Sequence, residues 1–346
     1  MNVTEKLRQI LALRLLKNMG AKTFQNDLTT HGSVEGILRV KKIDKAHWQT
    51  VDKEIELAAS QNVQIVTYFD VAYPALLKEI FDPPILLYVK GSLPKDSQTC
   101  LAVIGSREAS MHGLEMAASM GRELAGAGAV VVSGLARGID SAAHRGALET
   151  GNTVAVLGCG LARMYPPENK KLAEEISKKG ALISEFPMKT GPELFHFPMR
   201  NRIISGMSRA LVVVEAREKS GALITVGCAL EQGRDVYALP GNAGSKKTQG
   251  SNDLLKQGAI LVTDASEILE NFGLKPRDKK ASRAKSLSKE ESSLLRLLAK
   301  AETLHVDEIV EKSVLSPQKT MTLLTGLAVK GAVRELPGKY FAEAHL

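Results

Sequence analysis

The stretch AVVVSGLARGID, residues 129–140, decides the architecture. Three consecutive valines with no polar alternation are the pattern of a strand buried on both faces, not of one with a wet side. The run stops at Gly134, and helical spacing begins at about Ile139. Strand, glycine turn and helix make half of a parallel βαβ unit. The same construction recurs on either side: LAVIG at 101–105, TVAVLG at 153–158, ALIS at 181–184, ALVVVEA at 210–216, DVYALPG at 235–241 and AILVT at 259–263 alternate with helical stretches. This predicts an α/β domain, a doubly wound parallel sheet covered on both faces, over residues 63–273. Ligands of such sheets bind beyond the carboxyl ends of the strands, so function is to be sought in the loops there.

The chain has 346 residues, 44% of them apolar and 24% charged, which excludes disorder and fibrous repeats and leaves room for two or three domains. Its net charge of +8 is unevenly spread. Residues 63–273 carry 22 basic and 22 acidic side chains, residues 1–62 carry 10 and 7, residues 274–289 carry 7 and 1, and residues 290–346 carry 7 and 8. The excess therefore belongs mainly to a hydrophilic basic linker at 274–289. Cys100, Cys159 and Cys228 are far apart and form no CxxC pair, which disfavours a disulfide scaffold or a zinc ribbon. The N-terminal stretch has no signal-peptide pattern and no apolar run is long enough to span a bilayer, so a cytoplasmic protein with no membrane partner is expected.

Residues 1–62 place leucines at helical spacing between turn glycines, a pattern similar to sterile-alpha-motif or helix-hairpin-helix modules and shared by any small helical bundle. Residues 290–346 read as three short helices followed by two strands around Pro337-Gly338, the order of a winged helix. Its third helix, at 316–330, has only Lys319 and Lys330 as basic residues, which favours packing or partner contact over groove binding.

Four loop segments could carry chemistry. Gly105-Ser106-Arg107 follows a strand and precedes a helix beginning near Ser110, a seat for phosphate unless Gly105 only turns the chain and Arg107 pairs with a carboxylate. SGLARGID repeats the construction with Arg137, and two such loops on adjacent strands can converge on one anion. Asp140 fits a helix-orienting role. LFHFPMRNRII at 194–204 sets Phe195, His196 and Phe197 beside Arg200, Asn201 and Arg202 in a loop leading into a helix. Rings stack on bases and guanidinium groups hold phosphates, unless the rings are simply core. YPPENKK at 165–171 offers Lys170 and Lys171 at a helix start, either as a phosphate track or as a solvated face. Neither a GxGxxG nor a Walker A sequence is present, and no nucleophile elbow or metal-ligand spacing occurs, so no cofactor, metal or catalytic group is expected.

Taken in order, GSREAS, VVSGLARGIDSAAHRGAL, GCGLARMYPPEN, EFP, FPMRNRIISGMS, SGALIT and GRDVYALPGN followed by GSNDLLKQGA resemble the DprA/Smf family of DNA-processing proteins over about residues 65–270. The resemblance implies an extended Rossmann-like domain and a non-enzymatic, sequence-independent single-stranded DNA binder that dimerises through that domain and loads RecA in natural transformation or related recombination. It implies phosphate contacts from Arg107, with Ser106 beside it, and from Arg137, Arg200 and Arg202 flanking Asn201. It places Phe197 near a base and Lys170 and Lys171 along the track. Two rival readings are a LOG-like nucleotide phosphoribohydrolase and a DNA-independent scaffold. The first requires a PGGxGTxxE segment where this chain has Ser220-Gly221-Ala222-Leu223-Ile224-Thr225.

Overall fold

A computed structural model describes residues 3–275, 288–299, 301, 303–313, 315–329 and 332–343. The basic linker at 274–289 and Lys330 fall largely or wholly outside these residues. The chain divides into two compact units, 1–277 and 278–346.

In the first unit nine strands form one sheet: β1 (Gln64–Thr67), β2 (Leu86–Gly91), β3 (Cys100–Ile104), β4 (Val130–Ser133), β5 (Thr153–Val156), β6 (Ala181–Ser184), β7 (Ala210–Val213), β8 (Asp235–Ala238) and β9 (Ile260–Leu261). Their order across the sheet is β1-β2-β6-β5-β4-β3-β7-β8-β9. All seven strands read from the sequence are present, and all seven run parallel. Two further strands, β1 and β2, extend one edge, with β2 antiparallel both to β6 and to β1.

The helices of this unit are α1 (Val3–Arg14), α2 (Ala21–His31), α3 (Val34–Lys41), α4 (Lys45–Ser60), α5 (Ala75–Lys78), α6 (Met111–Gly126), α7 (Ile139–Thr150), α8 (Lys170–Lys179), α9 (His196–Gly206), α10 (Gly221–Glu231), α11 (Gln249–Lys256) and α12 (Ala265–Asn271). Alternate strand residues sort onto opposite faces. Ala102, Val132, Val156, Ile183 and Val213 meet Ile203, Ile204, Val226 and Leu254 from α9, α10 and α11. On the other face Leu101, Val131 and Val212 meet Ala117, Leu124 and Ala143 of α6 and α7. Farther along that face Tyr88, Ala155 and Leu182 pack against Ile10, Leu13, Phe24 and Val51. The helices at 1–62, expected as a module of their own, thus share a core with the sheet: their apolar stripe is buried against strands that would otherwise expose it.

The second unit comprises α13 (Lys289–Leu298), β10 (Leu304–His305), α14 (Val306–Ser313), α15 (Pro317–Val329), β11 (Val333–Leu336) and β12 (Tyr340–Glu343). Three helices and the hairpin expected from the sequence are joined by β10, which makes a small sheet of order β10-β12-β11. Leu294, Ile309, Leu324 and Phe341 fill its core.

The chain first runs outward from β3 through β4 and β5 to β6, then returns to place β7 on the other flank of β3. That reversal opens a crevice at the carboxyl ends of β3 and β7.

Candidate functional site

The β3–α6 loop is fixed from below by Glu215, a buried carboxylate just past the end of β7. It accepts from the Ser110 backbone N–H at 3.0 Å and from the Ser110 hydroxyl at 2.5 Å, while the Ser110 Oγ caps α6 by accepting from Gly113 N–H at 2.9 Å. Ser106 is buried: its N–H donates to the Glu215 carbonyl at 2.7 Å, and its Oγ accepts from Glu108 N–H at 3.1 Å. Ser106 therefore shapes the turn. Arg107, the next residue, is exposed and lies 5.1 Å from the centroid of the Phe197 ring, a cation–π contact.

The β4–α7 loop is held in the same manner. Asp140, in the first turn of α7, accepts from Gly134 N–H at 3.1 Å and Ala136 N–H at 3.3 Å. Burial pushes its carboxyl above the usual range, against the pull of Arg200. The Asn169 amide donates to Leu135 O at 2.9 Å and to Ser141 Oγ at 2.8 Å, bracing the loop from the start of α8. Gly138 needs its φ of +73°, and a Cβ there would fall 2.2 Å from Ser106 O, so this position joins the two loops. Arg137 projects outward and pairs with Glu168 on the surface.

Helix α9 begins at His196, so of the residues expected in a loop leading into a helix only Phe195, its N-cap, precedes it, and His196, Phe197, Arg200, Asn201 and Arg202 lie within it. Positions i and i+2 on a helix are about 200° apart, and Arg200 and Arg202 accordingly point opposite ways. Arg200 is 4% exposed and donates from Nη1 to Val156 O at 2.8 Å, with no partner at Nε and no ion pair among the described residues. Burial, above the attraction of Asp140 and the repulsion of Arg107, pushes its pKa down to about 10, so it remains cationic at neutral pH. Arg202 is turned to the far side, where it pairs with Glu185 at 2.5 Å and Asp82 at 3.1 Å. Helix geometry thus parts Arg202 from Arg200: its guanidinium is engaged by Glu185 and Asp82 and does not line the cleft.

A cleft of about 390 Å³ lies over the crevice, lined among others by Ser106, Arg107, Phe197, Arg200 and Asn201. A smaller depression of about 40 Å³ adjoins it, bounded by Arg107, Arg137, Gly158, Tyr165 and Phe197. Tyr165 stands 5.9 Å from Phe197, centroid to centroid. Asn201 is buried and reaches toward Gly221 O at 3.5 Å. Lys170 and Lys171 are exposed at the start of α8 and line neither depression. The structure therefore gathers Ser106, Arg107, Phe197, Arg200 and Asn201 around one cleft, sets Arg137 at its rim, and removes Arg202.

Sequence reasoning missed Glu215, whose only signal was a carboxylate ending a buried strand, and Arg217, and it met Ser220 and Thr225 only within the SGALIT segment; the last three line the same cleft. Of the acidic groups lining the cleft, Asp140 is occupied by loop amides and Glu108 by Arg217 at 2.8 Å. Among the described residues no group of His, Cys, Asp and Glu is arranged to hold a metal ion, and no helix is long and apolar enough to cross a membrane.

Residues 64–273 match the family model described as DNA recombination-mediator protein A, and residues 278–339 match the DprA winged helix domain. The chain is 42% identical over 277 residues to Protein Smf of Escherichia coli K12, spanning 78% of this chain and 74% of that protein. It is 41% identical over 235 residues to the DNA processing protein DprA of Streptococcus pneumoniae, spanning 68% and 80%. The X-ray structure of that pneumococcal protein superimposes with a TM-score of 0.64 at 34% identity, covering 78% of this chain and 98% of the other. A structure of DNA processing protein A from Helicobacter pylori, described for its single-stranded DNA binding mode, superimposes with a TM-score of 0.55 at 28% identity, covering 61% and 97%. Two braced arginine loops at the switch point of a doubly wound sheet, followed by a winged helix and accompanied by these similarities, establish that the chain belongs to the DprA/Smf family of DNA-processing, recombination-mediator proteins.

Proposed function

We propose that this protein binds single-stranded DNA without sequence preference in the cleft over β3 and β7, acts by binding and not by catalysis, and loads RecA onto the strand it holds. The observation that carries this reading is Arg200, a guanidinium buried on the cleft floor without an ion pair, beneath an Arg107 stacked on Phe197. A buried cation that feels an acid, Asp140, but makes no contact ion pair is only partly compensated, and an anion arriving in the cleft relieves the remaining cost. Phosphates supply the anion and bases supply flat faces for Phe197 and Tyr165, a combination that every nucleotide offers. The single-stranded DNA bound by the Helicobacter pylori relative supports the same assignment. A phosphoribohydrolase would need the PGGxGTxxE segment, and Ser220–Thr225 lacks its paired glycines and the Glu that follows the Thr.

Self-association is part of the proposal. Strand β9 ends the sheet with Ile260 and Leu261 both exposed, an apolar edge suited to being covered.

The test is a titration of single- against double-stranded oligonucleotides at several salt concentrations, with and without RecA. Single strands should bind more tightly, with affinity falling as salt rises, and Arg107→Gln should weaken binding while leaving the thermal melt unchanged. Absence of binding at low salt would sink the reading. RecA assembly no faster on the held strand than on a naked one would remove loading and leave DNA binding standing.

A further inference from the structure

The cations expected to form a phosphate track end at Arg107, yet the sheet order carries the series one strand farther. Lys170 and Lys171 open the helix that follows β5, Arg137 follows β4, Arg107 follows β3, and Arg217 follows β7. These four strands are consecutive neighbours, β5-β4-β3-β7, and neighbouring strands are about 4.8 Å apart. Each therefore delivers a cation to the same edge, one step after another. Arg217 lies across the switch point and lines the larger cleft together with Phe197 and Arg200.

Three observations give the β7 end the character of a binding site. Arg217 is not buried in a structural pair: its partner is Glu108, at 2.8 Å, with the two side chains 44% and 75% exposed. Such a surface pair contributes little stability, and a phosphate offers the guanidinium the same paired oxygen acceptors. Ser220, the residue before α10, accepts no hydrogen bond from the helix it precedes, and its Oγ has no partner although it lines the cleft. The buried Arg200 on the floor of this same cleft has an unpartnered Nε. The first turn of α10, a helix of eleven residues, adds the Gly221 and Ala222 amides to these donors, Leu223 N–H being taken by Ser220 O.

We propose that Arg217, Ser220 and the opening turn of α10 form a further phosphate subsite, one nucleotide beyond Arg107, and that in the free protein the Glu108 carboxylate occupies it. DNA then binds by exchange: a backbone phosphate displaces Glu108 from Arg217 and accepts from the Ser220 hydroxyl. The inference rests on the DNA-binding reading above and adds to it a direction for the strand, across the edge from β5 toward β7, and an internal competitor for one phosphate.

The experiment is fluorescence anisotropy of a short labelled oligothymidylate against the full-length chain over a salt series, for wild type, Arg107→Gln, Arg217→Gln, Glu108→Gln and the Glu108→Gln/Arg217→Gln pair. Arg217→Gln should bind several-fold more weakly, with the slope of log affinity against log salt shallower by about 0.7, the contribution of one phosphate on a single strand. Glu108→Gln should bind more tightly, and that gain should vanish in the double variant. Arg217→Gln titrating as wild type while Arg107→Gln is impaired would overturn the subsite and leave the DNA-binding reading intact. Both variants titrating as wild type would remove that reading and the subsite together. A Glu108→Gln gain that persists without Arg217 would show a general field effect and overturn the exchange. Thermal melts of all four variants should match wild type, since Arg107, Glu108 and Arg217 are exposed.

Discussion

Replacing Arg202 by Met separates a structural arginine from a ligand-binding one. Arg202 is 9% exposed and Glu185 4%, and their 2.5 Å contact is the charge partnership that Glu185 has in the interior. Burial already pushes the Glu185 carboxyl above its usual range, with Arg202 as the main opposing influence, so removing the guanidinium strands an acid that is hard to ionise. Breaking a buried pair from one side costs about 3–5 kcal/mol. Asp82, whose side chain is 40% exposed, adds little because solvent screens it. At about 2–4 °C per kcal/mol for a unit of this size, the melt should fall by roughly 10 °C. Urea unfolding followed through Trp48, the one tryptophan and a member of the same compact unit, measures the loss directly. Adding Glu185→Gln should recover part of it, because the stranded charge is then gone. Oligonucleotide binding well below the unfolding midpoint should match wild type. An Arg202→Met protein that unfolds at the wild-type midpoint yet no longer binds DNA would refute the reasoning and put Arg202 among the phosphate ligands.

Three further outcomes follow from the same geometry. Phe197→Ala removes the ring under Arg107 and a stacking face worth about 1–3 kcal/mol per base, so affinity should drop by roughly 5- to 150-fold without base preference; an unchanged affinity would remove Phe197 from the site. A Cβ at Gly134 would sit 1.7 Å from Arg200 Nη1, so Gly134→Ala should push the guanidinium off the Val156 carbonyl, weaken DNA binding, and cost about 1–3 kcal/mol of stability in urea. His144 is fully buried, and burial, helped by Arg200 and Arg145, holds its pKa down to about 3. Thr153 donates to Val131 O, so its hydroxyl accepts from His144 Nδ1 and the ring is neutral. Because the unfolded chain takes up this proton below about pH 6.5 and the folded one does not until about pH 3, stability should be full above that window and fall by about 1.4 kcal/mol per unit as pH drops through it. His144→Leu should show a correspondingly flatter urea-midpoint profile between pH 7 and pH 5, and parallel profiles would refute the assignment.

Strands that are buried on both faces announce themselves, which is why LAVIG, AVVVSG and the other runs were legible as β3 to β9. The pair QIVT and LLYVKG, now β1 and β2, was not. Nothing local in those residues states that β2 lies antiparallel to β6, because strand direction is set by the path of the intervening chain. The loops bearing Arg107 and Arg137 were readable because a glycine after a buried strand and before a helix marks the carboxyl edge wherever the strand sits. The RNR segment misled for a local reason. With α9 starting at His196, the two arginines fall on opposite faces, and a loop reading conceals that periodicity. Arg217 falls between the ALVVVEA and SGALIT segments and belonged to no motif. Its significance depends on β7 returning beside β3, some hundred positions earlier in the chain.

The sequence by itself determined the doubly wound parallel sheet, the winged helix, and the edge at which function resides, because burial on both faces, helical period and glycine turns are properties of neighbouring residues. Only the tertiary structure decided which arginine does what. Arg202 is neutralised by Glu185, Arg217 is lent to Glu108, and Arg200 is buried with no contact ion pair among the described residues, only the attraction of Asp140. An arginine's availability depends on its desolvation and its counter-charge, and both are fixed by residues that the strand order, not the chain, brings alongside it.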